Sequence, residues 1–155
     1  MIRIMFVCHG NICRSPMAEF IMKDMLLKCN LTDRITVASS ATSSEEIIGG
    51  IGNPMYPPAR AELMRHGIPF TPRKAVRLKP SDYGNYDLFI GMDSMNIRNM
   101  TRILNGDPEN KIRKIMDYTV SKGDVADPWY NDRFDIAFRD IYAGCKGLID
   151  TLFPS

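Results

Sequence analysis

Near the start of the chain a thiol, Cys8, stands six positions before a guanidinium, Arg14. Between them lie His9-Gly10-Asn11-Ile12-Cys13, and Ser15-Pro16 follow directly. A thiol that faces backbone N–H groups and a cation is stabilised as thiolate, which is a strong nucleophile and a fair leaving group. Arg14 is permanently charged, and its planar fork matches two oxygens of a phosphoryl group. Together they suit a two-step transfer through a covalent intermediate on sulfur. Gly10 is expected to supply a positive φ where the loop curls round an anion. Asn11 is expected to bond the loop backbone and hold it open. The Ser15 hydroxyl either caps the next helix or stabilises the thiolate as it leaves. The bare Cys-x5-Arg spacing is weak by itself, because Cys8 and Cys13 also suit small core positions and Arg14 a surface charge.

Context strengthens it. The apolar run Ile2 to Val7 reads as a buried parallel strand. Ser15 is expected as N-cap and Pro16 as first residue of a helix running to about Lys28. A strand that turns into a helix through a short loop gathers inward-pointing amides at the positive end of a helix dipole, which favours an anion.

A phosphate ester also needs a proton donor for its departing oxygen. Asp127-Pro128-Trp129-Tyr130 offers one. Pro128 restricts the course of the segment, and Trp129 and Tyr130 are suited to line a cleft for an aryl group. Asp-Pro elsewhere is often only a turn signal. Asp124, three residues earlier, shares the segment and the charge.

The block Cys8-His9-Gly10-Asn11-Ile12-Cys13-Arg14-Ser15-Pro16 resembles the signature of the low-molecular-weight protein tyrosine phosphatases. Asp127-Pro128-Trp129-Tyr130 is similar to that family's general-acid loop, and the resemblance covers nearly the whole chain. It implies a flavodoxin-like fold and hydrolysis of phosphotyrosine, in proteins or small aryl phosphates, through a phosphocysteine, with inorganic phosphate as product. It implies Cys8 as nucleophile, Arg14 as phosphate binder and Asp127 as proton donor. His9, Gly10, Asn11, Ile12, Cys13, Ser15, Trp129 and Tyr130 are the expected substrate-binding residues, and no cofactor or metal is implied. Two departures stand out. Ser44-Glu45-Glu46 occupies a cleft wall where relatives often carry an aromatic residue. No histidine stands near Arg73, where many relatives use one to fix the loop asparagine, so the support for Asn11 must come from elsewhere.

At 155 residues the chain is expected to form one phosphatase domain, residues 1–155. A net charge of +2 is too small to argue for nucleic acid or a membrane surface, and it suits an anionic substrate. Neither a signal peptide nor a membrane-spanning run is expected. The four cysteines, Cys8, Cys13, Cys29 and Cys145, show no zinc spacing and are too few for a disulfide scaffold, and only His9 and His66 could join them on a metal. A reduced, cytoplasmic enzyme fits best.

The remaining elements are expected as follows: a strand over Ile35–Ser39, a long loop over Ser39–Tyr56, a helix over Pro58–His66, a strand over Asp87–Met92, a helix capped by Asp93 or Ser94 and ended by Gly106, a strand over Lys114–Met116, and a last helix over Arg133–Phe153. Cys145 lies on the apolar stripe of that helix. The alternation reads as an α/β, doubly wound, four-stranded parallel sheet with helices on both faces and strand one at its centre, which puts Cys8 at the switch point. Two other functions are weighed. A thiol-dependent arsenate reductase would need a relay of further cysteines, which the spacing does not provide. A non-catalytic phosphotyrosine-binding module would be expected to lack the nucleophile or the acid. Cys8 and Cys13, five positions apart in one loop, are also expected to pair on oxidation, with Cys13 as the resolving thiol.

Overall fold

The computed structural model describes residues 1–154. In chain order the elements are β1 (Ile2–Cys8), α1 (Arg14–Lys28), β2 (Ile35–Ala41), β3 (Ile47–Ile48), β4 (Ile51–Gly52), α2 (Pro57–Arg65), β5 (Leu88–Gly91), α3 (Ser94–Ile103), β6 (Ile112–Lys114), α4 (Pro128–Asn131) and α5 (Phe134–Leu152). Four strands form a parallel sheet in the order β2-β1-β5-β6. β1 therefore lies inside the sheet and is buried on both faces, which is why its sequence is apolar without alternation.

The parity of β1 sorts the two faces. Ile4, Phe6 and Cys8 join the larger core, built with α1, α2 and α5. Met5 and Val7 join the smaller one, built with Phe89 of β5 and Met100 of α3. Cys8 thus leaves the strand on the α1 face, and its sulfur meets the first turn of that helix. β2 and β5 flank β1 and their connections diverge there, so Cys8 sits at the switch point where open α/β sheets bind ligands. No helix among the described residues is long and apolar enough to cross a membrane.

Several boundaries differ from the sequence reading. α1 begins at Arg14, with Cys13 in the N-cap position and no side-chain cap. Ser15 is not the cap, because its hydroxyl is bonded to the Cys8 sulfur instead. β2 continues to Ala41, since its register with β1 runs on to the pair Cys8–Ala41. The segment 39–56 is not all loop: β3 and β4 form a small hairpin turned by Gly49 and Gly50, both at positive φ. The fourth strand of the sheet is Ile112–Lys114, not Lys114–Met116. Asp117 accepts a hydrogen bond from the Lys114 amide and turns Ile115–Tyr118 into a 3₁₀ segment.

That turn lies hard against α5. A Cβ on Gly147 would stand 1.9 Å from the Tyr118 carbonyl oxygen, and one on Gly144 would stand 2.4 Å from Ile115 Cγ1. Alanine normally favours a helix interior over glycine by about 1 kcal/mol. Here the backbone contact reverses the sign. Gly147→Ala is expected to destabilise the protein by about 1–3 kcal/mol, as overpacking does, read from the midpoint of urea unfolding.

Candidate active site

The Cys8 sulfur is buried and ringed by donors. The amides of Asn11 and Ser15 approach it at 3.3 and 3.4 Å, and the Ser15 hydroxyl lies 2.9 Å away. Asn11 Nδ2 donates to Ser15 Oγ at 2.8 Å, which leaves the serine O–H for the sulfur. Of the two positions that its place in the sequence allowed, the Ser15 hydroxyl therefore takes the one beside the sulfur and does not cap α1.

The loop's carbonyl oxygens are tied away from this centre. Cys8 O accepts from Thr42 N, His9 O from Ser43 N, Ile12 O from Tyr56 N and Cys13 O from Met17 N, all at 2.9–3.1 Å. Asn11 O accepts from Arg73 Nη1 at 2.6 Å. With those oxygens held outside, the loop turns N–H groups inward, as an anion nest requires.

The positive φ belongs to Asn11 (60°) and not to Gly10, contrary to the sequence expectation. Asparagine tolerates that region when its amide is locally bonded. Asn11 is fully buried, and its amide is fully used: Nδ2 donates to Ser15 Oγ and Ser39 Oγ, while Oδ1 accepts from Arg73 and from Val76 N. A Cβ at Gly10 would stand 3.2 Å from Glu46 Cγ, a tight contact with a side chain that is itself partly exposed. The missing histidine is thus answered by Arg73 itself.

Arg14 is 2% exposed and rigidly held. Its Nη1 donates to Asp93 Oδ2 and to the Val125 carbonyl, both at 2.8 Å, while Nη2 reaches Asp127 Oδ2 at a longer 3.4 Å. Burial works against the guanidinium charge, but the Cys8 sulfur, Asp127 and Asp93 outweigh it and hold Arg14 above its ordinary pKa. Asp93 was read only as a helix cap. It is one: Oδ1 accepts from Asn96 N at 2.8 Å. Its other oxygen fixes Arg14, which no local sequence signal could reveal, because the partner lies 79 positions away.

Cys8, His9, Gly10, Ile12, Cys13, Arg14, Glu45, Glu46, Asp127, Trp129 and Tyr130 line one pocket. Asn11 and Ser15 lie behind it, among the buried polar groups. Asp127 caps α4, with Oδ1 accepting from Trp129 N at 3.0 Å. Trp129 rests on Tyr56, ring centroids 5.0 Å apart, a support the sequence reading missed. Opposite them the Glu45–Glu46 wall is acidic, and Glu45 pairs with His9 at 3.1 Å. Asp124 points elsewhere, accepting from Lys114 Nζ, Ser94 N and Ser94 Oγ. Burial would raise its pKa, but Lys114 and Ser94 prevail and hold it below the usual carboxylate range. Cys13 faces the pocket, yet burial first and the neighbouring Cys8 next push its thiol above the ordinary range. Cys145 is fully buried packing, and Cys29 is exposed just past α1.

A doubly wound sheet with a thiol-bearing anion loop at its switch point defines a cysteine-dependent phosphate-binding protein. Residues 3–154 match the family model described as low molecular weight phosphotyrosine protein phosphatase. The chain is 35% identical over 156 residues to the low molecular weight protein-tyrosine-phosphatase YfkJ of Bacillus subtilis, covering 98% of this chain and 96% of that one. It is 34% identical over 151 residues to PtpA of Staphylococcus saprophyticus, covering 97% and 93%. The crystal structure of SP-PTP from Streptococcus pyogenes superposes with a TM-score of 0.88 at 31% identity, covering all of this chain and 95% of that one. The chain belongs to the low molecular weight protein tyrosine phosphatase family and is a protein-tyrosine-phosphatase. An arsenate reductase is not favoured.

The two oxygens of Asp93 can be separated by substitution. Asparagine keeps the cap but loses the charge that fixes Arg14. Asp93→Asn is expected to destabilise the protein, because the buried Arg14 then keeps only its longer carboxylate contact, to Asp127, and to lower kcat/KM by about a hundredfold, the cost of a misplaced binding group. Asp93→Ala is expected to lose about 1 kcal/mol more, because the cap goes as well. Steady-state kinetics and urea unfolding on the same preparations check both.

Proposed function

We propose that Cys8 is the nucleophile, Arg14 the phosphoryl binder and Asp127 the general acid and base in the hydrolysis of phosphotyrosine in proteins or small aryl phosphates. The observation that supports this reading is convergence: a strand end, a helix start and the α4 cap bring the three residues into one pocket with Trp129 and Tyr130. Because Nη1 of Arg14 is committed to Asp93 and Val125, its Nε and the Nη2 hydrogen not turned to Asp127 are left to take two phosphoryl oxygens. Loop amides, among them those of Asn11 and Ser15 that face the Cys8 sulfur, take the charge that remains.

Cys8 attacks phosphorus as the thiolate, forming the S–P bond while the bond from phosphorus to the aryl oxygen breaks. Asp127 gives its proton to the departing oxygen. Now ionised, it takes a proton from water, whose oxygen attacks phosphorus and expels the Cys8 thiolate, stabilised by the Ser15 hydroxyl. Inorganic phosphate leaves. His9, Gly10, Ile12 and Cys13 form the floor of the site, and Trp129 and Tyr130 flank the aryl ring. We further infer that residues 1–155 act as a single domain in the reducing cytoplasm, where a nucleophilic thiol stays usable.

Phosphotyrosine should be hydrolysed in preference to phosphoserine and phosphothreonine without added metal. Cys8→Ser should abolish turnover yet still bind phosphate or vanadate, and more than trace activity would remove Cys8 from its role. The acid has its own test. Positioned acid catalysis contributes about 10²–10⁴-fold, and it matters most for a poor leaving group. Asp127→Asn should therefore slow phenyl phosphate far more than para-nitrophenyl phosphate. Asp124→Asn is the control, since its carboxylate is bound to Lys114 and Ser94. If the leaving-group dependence appears in Asp124→Asn and not in Asp127→Asn, the acid is misassigned.

A further inference from the structure

Arg73 carries a partly buried positive charge with no carboxylate bonded to it. Among the described residues it makes no ion pair. Both of its bonds go to Asn11, Nη1 to the main-chain oxygen and Nη2 to the side-chain oxygen. Glu19 of α1 is the carboxylate whose field reaches it, but Glu19 is already bonded to Ser39 Oγ at 2.6 Å and Lys23 Nζ at 2.6 Å. The other titratable group that bears on Arg73 is the Cys8 thiol. Burial pushes the guanidinium below its ordinary pKa, and Glu19 and Cys8 recover part of the loss.

Burying an arginine without a counter-charge is costly unless an anion shares its surroundings. The loop supplies one. Cys8, His9, Ile12 and Cys13 have their carbonyls held by neutral backbone amides, whereas Asn11 alone among these positions has its carbonyl held by a cation. A neutral brace would have served if bracing were the whole requirement.

We propose that Arg73 is a second cation of the anion site, a positioning residue that locks Asn11 from behind the loop while its charge strengthens binding of the phosphoryl group. It touches neither sulfur nor substrate. Its fork fixes the left-handed Asn11, and hence the amides on either side. Its charge is balanced by the Cys8 thiolate in the free enzyme and by the phosphoryl oxygens in the complex. This rests on the reading that the pocket takes a phosphoryl anion.

The two contributions separate in substitutions at one position. Arg73→Lys keeps a charge without the fork, and Arg73→Gln keeps a donor without the charge. Binding of inorganic phosphate, read by calorimetry and as competitive inhibition, is expected to weaken about tenfold in Arg73→Gln and no more than about threefold in Arg73→Lys, the scale of one charge-assisted bond. Both are expected to lose kcat, because neither rebuilds the fork. Arg73→His gives a third reading that does not depend on the first two variants folding. Imidazole loses its charge near pH 6.5, so phosphate affinity relative to wild type should fall as pH rises through about 6–7. The ratio cancels the titration of phosphate, which is common to both proteins.

Equal phosphate affinity in Arg73→Lys and Arg73→Gln, or a flat ratio for Arg73→His, would overturn the proposal and leave Arg73 a brace. Thermal unfolding identifies a variant that has lost its fold, and the remaining variants then decide. If wild type itself neither binds phosphate nor hydrolyses phosphotyrosine, the functional reading fails first. If wild type does both and the Arg73 variants match it, only this inference fails.

Discussion

A chain that curls round an anion must turn its carbonyl oxygens away from it. Each carbonyl left inside would cancel part of what an amide contributes, and each one left buried and unbonded would cost a lost hydrogen bond. The residue 8–13 loop meets that constraint with partners drawn from four places. Thr42 and Ser43 come from the end of β2, Tyr56 from the start of α2, Met17 from α1 and Arg73 from the connector after α2. The loop is therefore not a self-contained motif. Its geometry is imposed from outside by elements that would otherwise have no reason to meet.

The second constraint is charge. Arg14 is withdrawn from bulk water and has carboxylate partners, whereas Arg73 is only partly buried, behind Asn11, and has none. Asp93 ties Arg14 to the capped start of α3, so the direction of the guanidinium is set by a helix on the far face of the sheet. Asp127 ties it, more loosely, to α4. A rigid Arg14 loses little entropy when a phosphoryl group arrives, which is where preorganisation contributes to affinity.

The walls of the pocket are made differently from its floor. Beneath the mouth, Cys8, Asn11, Arg14 and Ser15 are buried and hydrogen-bonded. Trp129 and Tyr130, by contrast, are 53% and 85% exposed, and Trp129 is steadied by Tyr56. The facing wall, Glu45 and Glu46, precedes a two-strand hairpin whose tip isoleucines Ile48 and Ile51 are exposed. A tight anion site with an open, chemically asymmetric mouth fits a phosphate held in one pose on a ring presented from a larger surface.

Residue types and spacing marked Cys8, Arg14 and Asp127 as candidates, which the structure brings to one pocket, together with the strand before the loop, the helix after it, and the parallel sheet with β1 inside. Those features are local or periodic, and a chain displays them in one dimension. Long-range contacts decided the rest. The positive φ fell to Asn11 because Ser39, Arg73 and Val76 could bond its amide. Ser15 turned to sulfur because Asn11 bonds its hydroxyl from the other side. Asp93 became a clamp on Arg14, and Arg73 took up the position behind Asn11, because the fold carries each of them across dozens of residues to the end of β1. A hydrogen bond leaves its mark in sequence only when both partners sit on one local element, and these partners meet only once the sheet has formed.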